Sequence, residues 1–370
     1  MNRPSPPALF ALLSIGLAAG PACLEVADGR AARDARIGQA SAPGISVQVR
    51  GGLATIHELG PGILRLWLQA PEVALDLVTD AGAPLEVIAA NALADAALVA
   101  SAPGGGMTIE SIAATTPNER RWRVTPPAGG GAWGLRIAPP DAAEAGPWRF
   151  AVFGDVQEAI DSVQDIYRRM AQDGGIRFVV MAGDQTERGT PEQLGRFQTE
   201  MHGLPFPIYA TLGNHELGTR DDLFHDFFGR GTFSFVFRDV QFTLLDTASA
   251  TLAPLAYEWL GDWLIEGIDR LHFVVAHIPP LDPTGTRNGA FASRLEANKL
   301  LSLLASGKVD TTFYGHVHSY YAYSNAGIPA YITGGGGAIP EQFDGIGRHY
   351  LTVDVDPQLQ TAQVALVRVD

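Results

Sequence analysis

The sequence predicts two domains of different class: an all-β sandwich over residues 44–138 and an α/β domain over residues 147–370. In the first range, short apolar runs alternate with glycine and proline about every ten residues, which is typical of a small antiparallel sandwich. In the second range, apolar strands alternate with segments of helical periodicity, which indicates a layered βαβ fold. The stretch 139–147, rich in proline and glycine, is predicted to link the two domains.

The α/β domain carries clear patterns for individual elements. A pair of apolar runs that meets at Arg238-Asp239 predicts two antiparallel strands. Helical periodicity predicts helices over residues 158–171, 191–201, 221–228, 254–267 and 294–305.

Composition excludes several function classes. The chain has 370 residues, of which 46% are hydrophobic and 18% are charged, so it is globular and not disordered. Its net charge of −14 argues against a broad nucleic-acid interface. An acidic protein can still bind phosphate at a metal centre, because metal ions reverse the local field. The single cysteine, Cys23, excludes an intramolecular disulfide and a cysteine-based zinc site.

Residues 1–23 have the pattern of an export signal peptide. Arg3 provides a positive charge, Ala8–Ala19 is an apolar stretch too short to span a bilayer comfortably, and small residues precede Cys23. We therefore predict an exported protein, periplasmic or secreted. A lipid anchor on Cys23 is the alternative, although Pro21 and the lack of an upstream leucine make a poor lipidation motif. An uncleaved apolar N-terminus is a third possibility.

The segment between the signal and the α/β domain carries no predicted chemistry. Residues 24–43, rich in alanine, glycine, arginine and aspartate, are predicted to form a loose linker. The sandwich over 44–138 contains one histidine, His57, and no cluster of ligands. A structural or positioning role is therefore expected for it, with binding of a carbohydrate or a partner as the alternative.

Polar residues with metal-binding chemistry follow the apolar runs of the α/β domain, at the ends where layered sheets form their sites. They lie in the motifs Gly154-Asp155, Gly183-Asp184, Gly213-Asn214-His215-Glu216, His277 and Gly315-His316-Val317-His318. This mixture of imidazole, carboxylate and amide suits Mn, Fe or Zn and is too rich in nitrogen for calcium. Two histidines that are two residues apart on an extended segment face the same side. The motifs therefore predict a hydrolytic site with two metal ions.

With His277-Ile278-Pro279-Pro280 included, the motifs occur in the order found in the calcineurin-like metallophosphoesterase superfamily, which residues 148–369 resemble. That superfamily includes the purple acid phosphatase and cyclic nucleotide phosphodiesterase branches. The resemblance implies a four-layer fold with two mixed β-sheets flanked by helices. It also implies two divalent or trivalent ions (Mn, Fe or Zn) and hydrolysis of a phosphate ester by a hydroxide held between them.

The resemblance also implies a role for each site residue. Asp184 is expected to bridge the ions, with Asp155 and His318 on the first ion. The second ion is expected to bind Asn214, His277 and His316. His215 is expected to hydrogen-bond the phosphate or to protonate the leaving oxygen. Glu216 is expected to orient His215, with a solvated loop carboxylate as the alternative.

The sequence departs from the family pattern at two positions. Gln157 occupies a position where the family often has histidine, so either its amide oxygen contacts the first ion, directly or through water, or that ion binds more weakly. Glu187 occupies the position of the tyrosine ligand of purple acid phosphatases, and is expected to support the site without binding metal. The run Gly334–Gly337 is expected to allow a close backbone approach to the metal loops, with phosphate binding as the alternative. The remaining histidines are expected to be surface or structural residues: His202, His225, His272 and His349. Of these, His225 is the one that could reach the pocket.

We therefore predict a metal-dependent phosphoric ester hydrolase that acts on a phosphomonoester or phosphodiester. A non-catalytic, metal-dependent binding protein on a degenerate phosphoesterase scaffold is the alternative, motivated by Gln157. Hydrolysis of pyrophosphate or a sulfate ester is a third possibility. No nucleic-acid partner is expected, and membrane contact is expected only through a lipid on Cys23.

Overall fold

The computed structural model describes residues 22–80, 82–101, 106–218, 220–285, 289–341 and 346–369. The predicted signal peptide therefore lies outside the described residues, except for its last two positions. Within these ranges, no helix combines the length and the apolar character needed to cross a membrane.

The N-terminal domain consists of two five-stranded sheets packed face to face. Their orders are β1-β2-β5-β10-β7 and β3-β4-β6-β9-β8, with the strands β1 Gln39–Ala42, β2 Ile45–Val49, β3 Ala54–Gly60, β4 Ile63–Leu68, β5 Val73–Thr79, β6 Leu85–Ala90, β7 Ala97–Ser101, β8 Thr108–Ile112, β9 Arg120–Thr125 and β10 Gly131–Ala138. Alternate residues such as Leu75, Leu77, Leu64 and Leu66 point inwards and form one core. The all-β class of this domain is confirmed.

One pair of strands departs from the predicted antiparallel pattern. Strands β4 and β6 pair in parallel. The physical reason is connectivity, because β5 lies between them in sequence but belongs to the opposite sheet. The chain crosses to that sheet and returns, so β4 and β6 run in the same direction.

The predicted linker over residues 24–43 is wrong for most of its length, because Ala22–Asp34 forms helix α1. Its Ala27 and Ala31 are buried against the second domain. The fully buried Arg30 pairs with Asp246 at 2.6 Å, and the Asp34 carboxylate accepts two backbone N–H groups, each at 2.8 Å. These small and charged residues provide no apolar stripe, so the sequence gives little indication of the helix.

The second domain has four layers, as predicted. Its sheets have the orders β13-β12-β11-β20-β21 and β14-β15-β16-β17-β19-β18, with the strands β11 Trp148–Phe153, β12 Ile176–Ala182, β13 Ile208–Thr211, β14 Phe233–Phe237, β15 Val240–Leu245, β16 Leu271–Ala276, β17 Thr311–Tyr314, β18 Tyr320–Asn325, β19 Ile328–Thr333, β20 His349–Asp356 and β21 Thr361–Arg368. The helices are α2 Gln164–Gln172, α3 Pro191–His202, α4 Leu223–Phe227, α5 Pro254–Glu266 and α6 Arg294–Ser306.

Aromatic side chains fill the space between the two sheets. Phe150 and Phe178 of the first sheet lie with ring centroids 5.0 and 5.4 Å from Phe242 of the second, distances at which aromatic pairs attract. Helices α2, α3 and α4 cover the outer face of the first sheet, and α5 and α6 cover that of the second. Both sheets mix parallel and antiparallel pairs.

Side-chain amides fasten the sandwich to the second domain. Asn91 bonds the carbonyl and the N–H of Ile208 in the edge strand β13, at 2.8 and 2.9 Å. Gln69 makes the same paired contact with the backbone of Arg230, with both distances 2.7 Å. Buried amides with both groups satisfied fix one relative orientation. Strand β13 leads directly to Asn214, so these contacts are consistent with the predicted positioning role.

Candidate metal centre

Five loops from both sheets bring the predicted ligands to one edge of the α/β domain. Asp155, Asp184 and Asn214 follow the parallel strands β11, β12 and β13. His277 follows β16, while His316 and His318 follow the neighbouring parallel strand β17. The carboxyl ends of both sets of strands therefore open on the same side, as in other layered sheets that form a site at this edge.

The first group of donors consists of Asp155, Asp184 and His318, all buried. Their ligand atoms lie within 4.8 Å of one another, and His318 Nε2 is 3.5 Å from Asp155 Oδ1. Donors around one Zn-sized ion lie roughly 2 Å from it and therefore up to roughly 4 Å from one another. The group thus needs little movement to hold a metal ion.

The second group contains His277, Asn214 and His316 and shares Asp184 with the first. His277 Nε2 lies 3.0 Å from Asn214 Oδ1 and 3.3 Å from Asp184 Oδ2. The rings of His277 and His316 have centroids 5.2 Å apart. Asp184 is therefore placed between the two groups, as a bridging carboxylate requires.

Backbone carbonyls fix the orientation of two imidazole rings. His277 Nδ1 donates to the Ala182 carbonyl at 2.7 Å, and His318 Nδ1 donates to the Ile339 carbonyl at 2.8 Å. Because a carbonyl can only accept, Nδ1 carries the proton and Nε2 faces the site. Metal-binding histidines are held in this way by groups behind them.

The donor chemistry requires a cation or a proton among these atoms. In neutral His277, the Nε2 lone pair would face the Asn214 and Asp184 oxygens within 3.3 Å. Burial lowers the pKa of His277, but the Asp184 charge outweighs it and raises that pKa to about 9. Burial likewise opposes ionisation of Asp184, yet His277 and His215 hold its pKa below the ordinary range. The residues therefore fit a metal ion, which would replace the His277 proton.

Gln157 reaches the first group through its side-chain amide. Its Nε2 lies 2.7 Å from Asp184 Oδ2 and 3.1 Å from His318 Nε2. The amide nitrogen thus donates to the atoms that would bind the first ion. Turning the amide about its last torsion would bring Oε1 to the same place, since its oxygen and nitrogen are nearly equal in size. Gln157 is therefore within reach of the first ion.

The loops hold non-glycine residues in the left-handed backbone region. Asp155, Gln157, Asp184 and His316 have φ angles of 64°, 47°, 54° and 71°. Such conformations cost of order 1–3 kcal/mol each and concentrate at functional sites. The carboxylates are then fixed by backbone donors: His316 N–H lies 2.9 Å from Asp155 Oδ1, and His215 N–H lies 3.0 Å from Asp184 Oδ1.

The run Gly334–Gly337 packs against the metal loops, and its predicted close approach is confirmed. A Cβ on Gly336 would lie 2.4 Å from the Gly154 carbonyl oxygen, and one on Gly334 would lie 2.2 Å from that of Val317. Gly336 N–H donates to the same Gly154 carbonyl at 2.8 Å. The run therefore supports the loops of Asp155 and His318.

His215 lies beside the shared carboxylate, and its ring is held by Glu187. Its Nδ1 donates to the Glu187 carbonyl at 2.6 Å, and the Glu187 carboxylate lies 3.7 Å from the same nitrogen. His215 Nε2 points into the site, 3.9 Å from Asp184 Oδ2. The position suits a proton donor, because Nε2 faces the site while Nδ1 is held by the Glu187 carbonyl.

The expectation that Glu216 orients His215 is wrong. Both Glu216 carboxylate oxygens bond backbone or hydroxyl groups: Gly213 N–H at 2.8 Å, and Thr186 N–H and Oγ1 at 2.9 Å. Burial, followed by the Asp184 charge, raises the pKa of Glu216. Glu216 thus ties the Asp184 loop to the Asn214 loop, and it is neither a partner of the His215 ring nor a solvated carboxylate.

The remaining histidines lie away from the cluster. His225 is buried 3.0 Å from Asp34 of α1, so it does not reach the pocket. His272 contacts Thr243 at 2.8 Å, His202 lies edge-on to Trp67, and His349 bonds the Gly347 carbonyl at 2.7 Å. Their predicted structural role agrees with these contacts.

Four of the donors line a cavity of about 620 Å³: Asp184, Asn214, His316 and His318. Sequence reasoning missed part of its wall, which is formed by Glu158, Ile339, Pro340 and Glu341. Glu158 adjoins a predicted ligand, but the other three follow the glycine run and carry no motif. Only the fold brings them to the cavity.

A four-layer α/β domain with nitrogen and oxygen donors gathered at its strand ends is the architecture of a metal-dependent hydrolase. Residues 149–320, within the α/β domain, match the family model of the calcineurin-like phosphoesterases. No curated protein matches the sequence.

Solved structures superpose on this chain at low sequence identity. The purple acid phosphatase PPD1 from yellow lupin (Lupinus luteus) seeds superposes with a TM-score of 0.51 and 14% identity, over 80% of this chain and 70% of its own. PhoD gives 0.49 and 11%, over 81% and 90%. A dimetal phosphatase from Danio rerio gives 0.46 and 13%, over 60% and 99%.

Proposed function

We propose that this protein hydrolyses a phosphomonoester or phosphodiester at a binuclear metal centre. The observation that carries the proposal is the pair of donor groups that share Asp184. Asp155 and His318 complete one group, and Asn214, His277 and His316 complete the other. The match of residues 149–320 to the calcineurin-like phosphoesterase model supports a metal-dependent phosphoesterase in general. The number of ions and the residue roles are inferred from the geometry.

Two ions bound here would supply an activated water at neutral pH and would neutralise charge that develops on the phosphoryl oxygens. The protein's own contribution is placement. Asp155 and Asp184 are 0% and 1% exposed, so their charges act in a largely desolvated environment, where electrostatic interactions are strong. The backbone donors from His316 and His215 prevent these carboxylates from turning away.

His215 is proposed to deliver a proton to the leaving oxygen. Its Nε2 faces the cavity beside Asp184, while its Nδ1 is held by the Glu187 carbonyl. Asn214 adjoins it and presents its side-chain oxygen to His277 Nε2. One short loop would therefore supply both a metal ligand, Asn214, and a proton donor, His215, to a phosphate ester bound at the metal centre.

A non-catalytic metal-binding protein is the second candidate, and the contacts of Gln157 favour it. The amide nitrogen occupies the space between Asp184 and His318 where the first ion would bind. A protein that keeps this amide in place would hold one ion and would lack a metal pair.

The test is hydrolysis of p-nitrophenyl phosphate and bis-p-nitrophenyl phosphate by metal-stripped protein titrated with Mn, Zn, Fe and Mg. We expect turnover that rises with bound metal, and Asn214→Ala should abolish most of it while lowering the metal content. Turnover of neither ester with any metal would refute the proposal, and a single tightly bound ion would then favour the binding protein.

Export also remains a proposal, supported by the charge and apolar pattern of residues 1–23. Helix α1 begins at Ala22, so cleavage near Cys23 would keep Arg30 and Asp34 in the mature chain.

A further inference from the structure

The wall of the metal cavity is acidic. Besides the metal donors, the cavity is lined by Glu158, Glu187 and Glu341, together with Ile339 and Pro340. Among the described residues that line this cavity, none is lysine or arginine. A phosphate ester whose organic part is anionic would therefore meet like charge, whereas a cationic organic group would meet three carboxylates.

The segment that carries part of this wall is fastened to the donor loops. Ala338 N–H donates to the Asp155 carbonyl at 3.0 Å, and Glu341 N–H donates to the His318 carbonyl at 3.0 Å. Ile339 N–H donates to the Glu158 carboxylate at 3.1 Å, and its carbonyl accepts from His318 Nδ1 at 2.8 Å. The wall is thus placed at a fixed distance from the metal ligands, and a rigid surface loses little entropy on binding.

An exposed apolar side chain, Ile339, lines the same cavity as the three glutamates. Ile339 is 74% exposed, although its backbone is tied at both its N–H and its carbonyl. Pro340 extends the apolar surface. Carboxylates beside a small exposed apolar surface match the chemistry of an alkylammonium group, which carries one positive charge among methyl or methylene groups.

We propose that the site takes phosphate esters of alkylammonium alcohols, with the phosphate on the metal cluster and the ammonium group against the glutamate wall. This inference rests on the proposed phosphoesterase activity and adds a substrate class to it. In the reaction, the oxygen of water forms a bond to phosphorus and the bond to the leaving oxygen breaks. The leaving alcohol, or its phenolate, takes the electron pair, and the proton released by water passes to it or to solvent.

The test compares two diesters that release the same p-nitrophenolate. One is p-nitrophenyl phosphocholine, and the other is p-nitrophenyl 3,3-dimethylbutyl phosphate, in which carbon replaces the ammonium nitrogen. We expect kcat/KM for the cationic ester to be about tenfold higher, since ion pairs that stay partly in contact with water contribute modestly. The ratio should fall as ionic strength rises. Phosphocholine and 3,3-dimethylbutyl phosphate, compared by release of inorganic phosphate, extend the test to monoesters and show which ester type carries the preference.

A triple variant with Glu158→Gln, Glu187→Gln and Glu341→Gln identifies the residues responsible. Glutamine retains an oxygen that can accept from Ile339 N–H, so the variant removes charge with little change of shape. We expect the ratio of cationic to neutral ester to fall to about one while the metal content stays that of the parent. Glu110→Gln, which removes an exposed carboxylate on strand β8, is the matched control and should leave the ratio unchanged.

Three results would overturn this inference: equal turnover of the cationic and neutral esters by the parent, a ratio that survives the triple substitution, or loss of metal from the triple variant. Each of them leaves the phosphoesterase proposal standing, provided that the neutral ester is hydrolysed. No turnover of any ester with any metal would instead refute the proposed function itself.

Discussion

Replacing Gly213 by alanine should disable the metal centre through one methyl group. A Cβ on Gly213 would lie 2.1 Å from Asp184 Oδ1 and 2.4 Å from its backbone nitrogen. The backbone itself would accept alanine, since φ is −106° and ψ is −175°. The only obstacle is the clash, and relieving it requires a movement of about 1 Å in the carboxylate shared by both donor groups.

A displacement of that size costs on the order of 100-fold in rate at a preorganised site, which corresponds to about 2.7 kcal/mol. We therefore expect Gly213→Ala to lower kcat/KM for bis-p-nitrophenyl phosphate by at least about 100-fold and to lower the bound metal, measured by inductively coupled plasma mass spectrometry. Overpacking should also reduce the free energy of unfolding by about 1–3 kcal/mol.

Gly261→Ala is the matched control. Gly261 lies within helix α5, and a Cβ there meets no atom within 4 Å. Alanine should stabilise that helix by about 0.5–1 kcal/mol and leave metal content and turnover unchanged. A Gly213→Ala protein with full metal and near-parental kcat/KM would refute the placement of Asp184 at the centre of the site.

Three other substitutions test separate parts of the structure. Gln157→His should raise the affinity for the first ion about tenfold, because imidazole is a better ligand than an amide for Mn, Fe or Zn. A competition titration with a metal chelator measures this affinity, and an unchanged value would place residue 157 outside the coordination shell. His215→Ala should keep the metal but lower kcat about 10²–10⁴-fold for alkyl leaving groups and less for p-nitrophenolate; loss of metal instead would make His215 a ligand. Burial lowers the pKa of His272 to about 4 from its ordinary 6.5, so only the unfolded chain binds a proton between pH 6.5 and 4. Its burial should therefore remove about 3 kcal/mol of stability as the pH falls through that window; urea unfolding of His272→Gln should lose this pH dependence, and an unchanged slope would contradict it.

The strongly periodic parts of the fold were predictable from the sequence. Helices predicted over 191–201, 254–267 and 294–305 occur at Pro191–His202, Pro254–Glu266 and Arg294–Ser306. The predicted turn at Arg238-Asp239 joins β14 to β15, and both residues have positive φ, as a tight hairpin requires. These elements follow from local patterns, so little tertiary information is needed to find them.

Elements defined by tertiary packing were not predictable. Helix α1 is held by the buried Arg30–Asp246 pair, whose members are separated by more than 200 residues. The parallel pairing of β4 with β6 depends on which sheet β5 joins. Neither feature leaves a periodic pattern in the sequence.

In the candidate site too, some features could be predicted from the sequence and others could not. The positions of Asp155, Asp184, Asn214, His277, His316 and His318 at strand ends could be predicted, because each follows an apolar run. The partner of His215 could not, because sequence adjacency favoured Glu216, whereas the fold brings the Glu187 carbonyl to the ring. Ile339 and Glu341 reach the cavity only because the glycine run packs against the metal loops.

The most direct test of a binuclear centre around Asp184 is electron paramagnetic resonance of protein titrated with Mn²⁺, with turnover measured at each step. Two ions about 3.5–4 Å apart would share the Asp184 carboxylate and should give an exchange-coupled spectrum. Turnover should rise with the coupled signal and reach its maximum at two ions per chain. Full turnover with one ion per chain and the six-line spectrum of isolated Mn²⁺ would contradict the binuclear site.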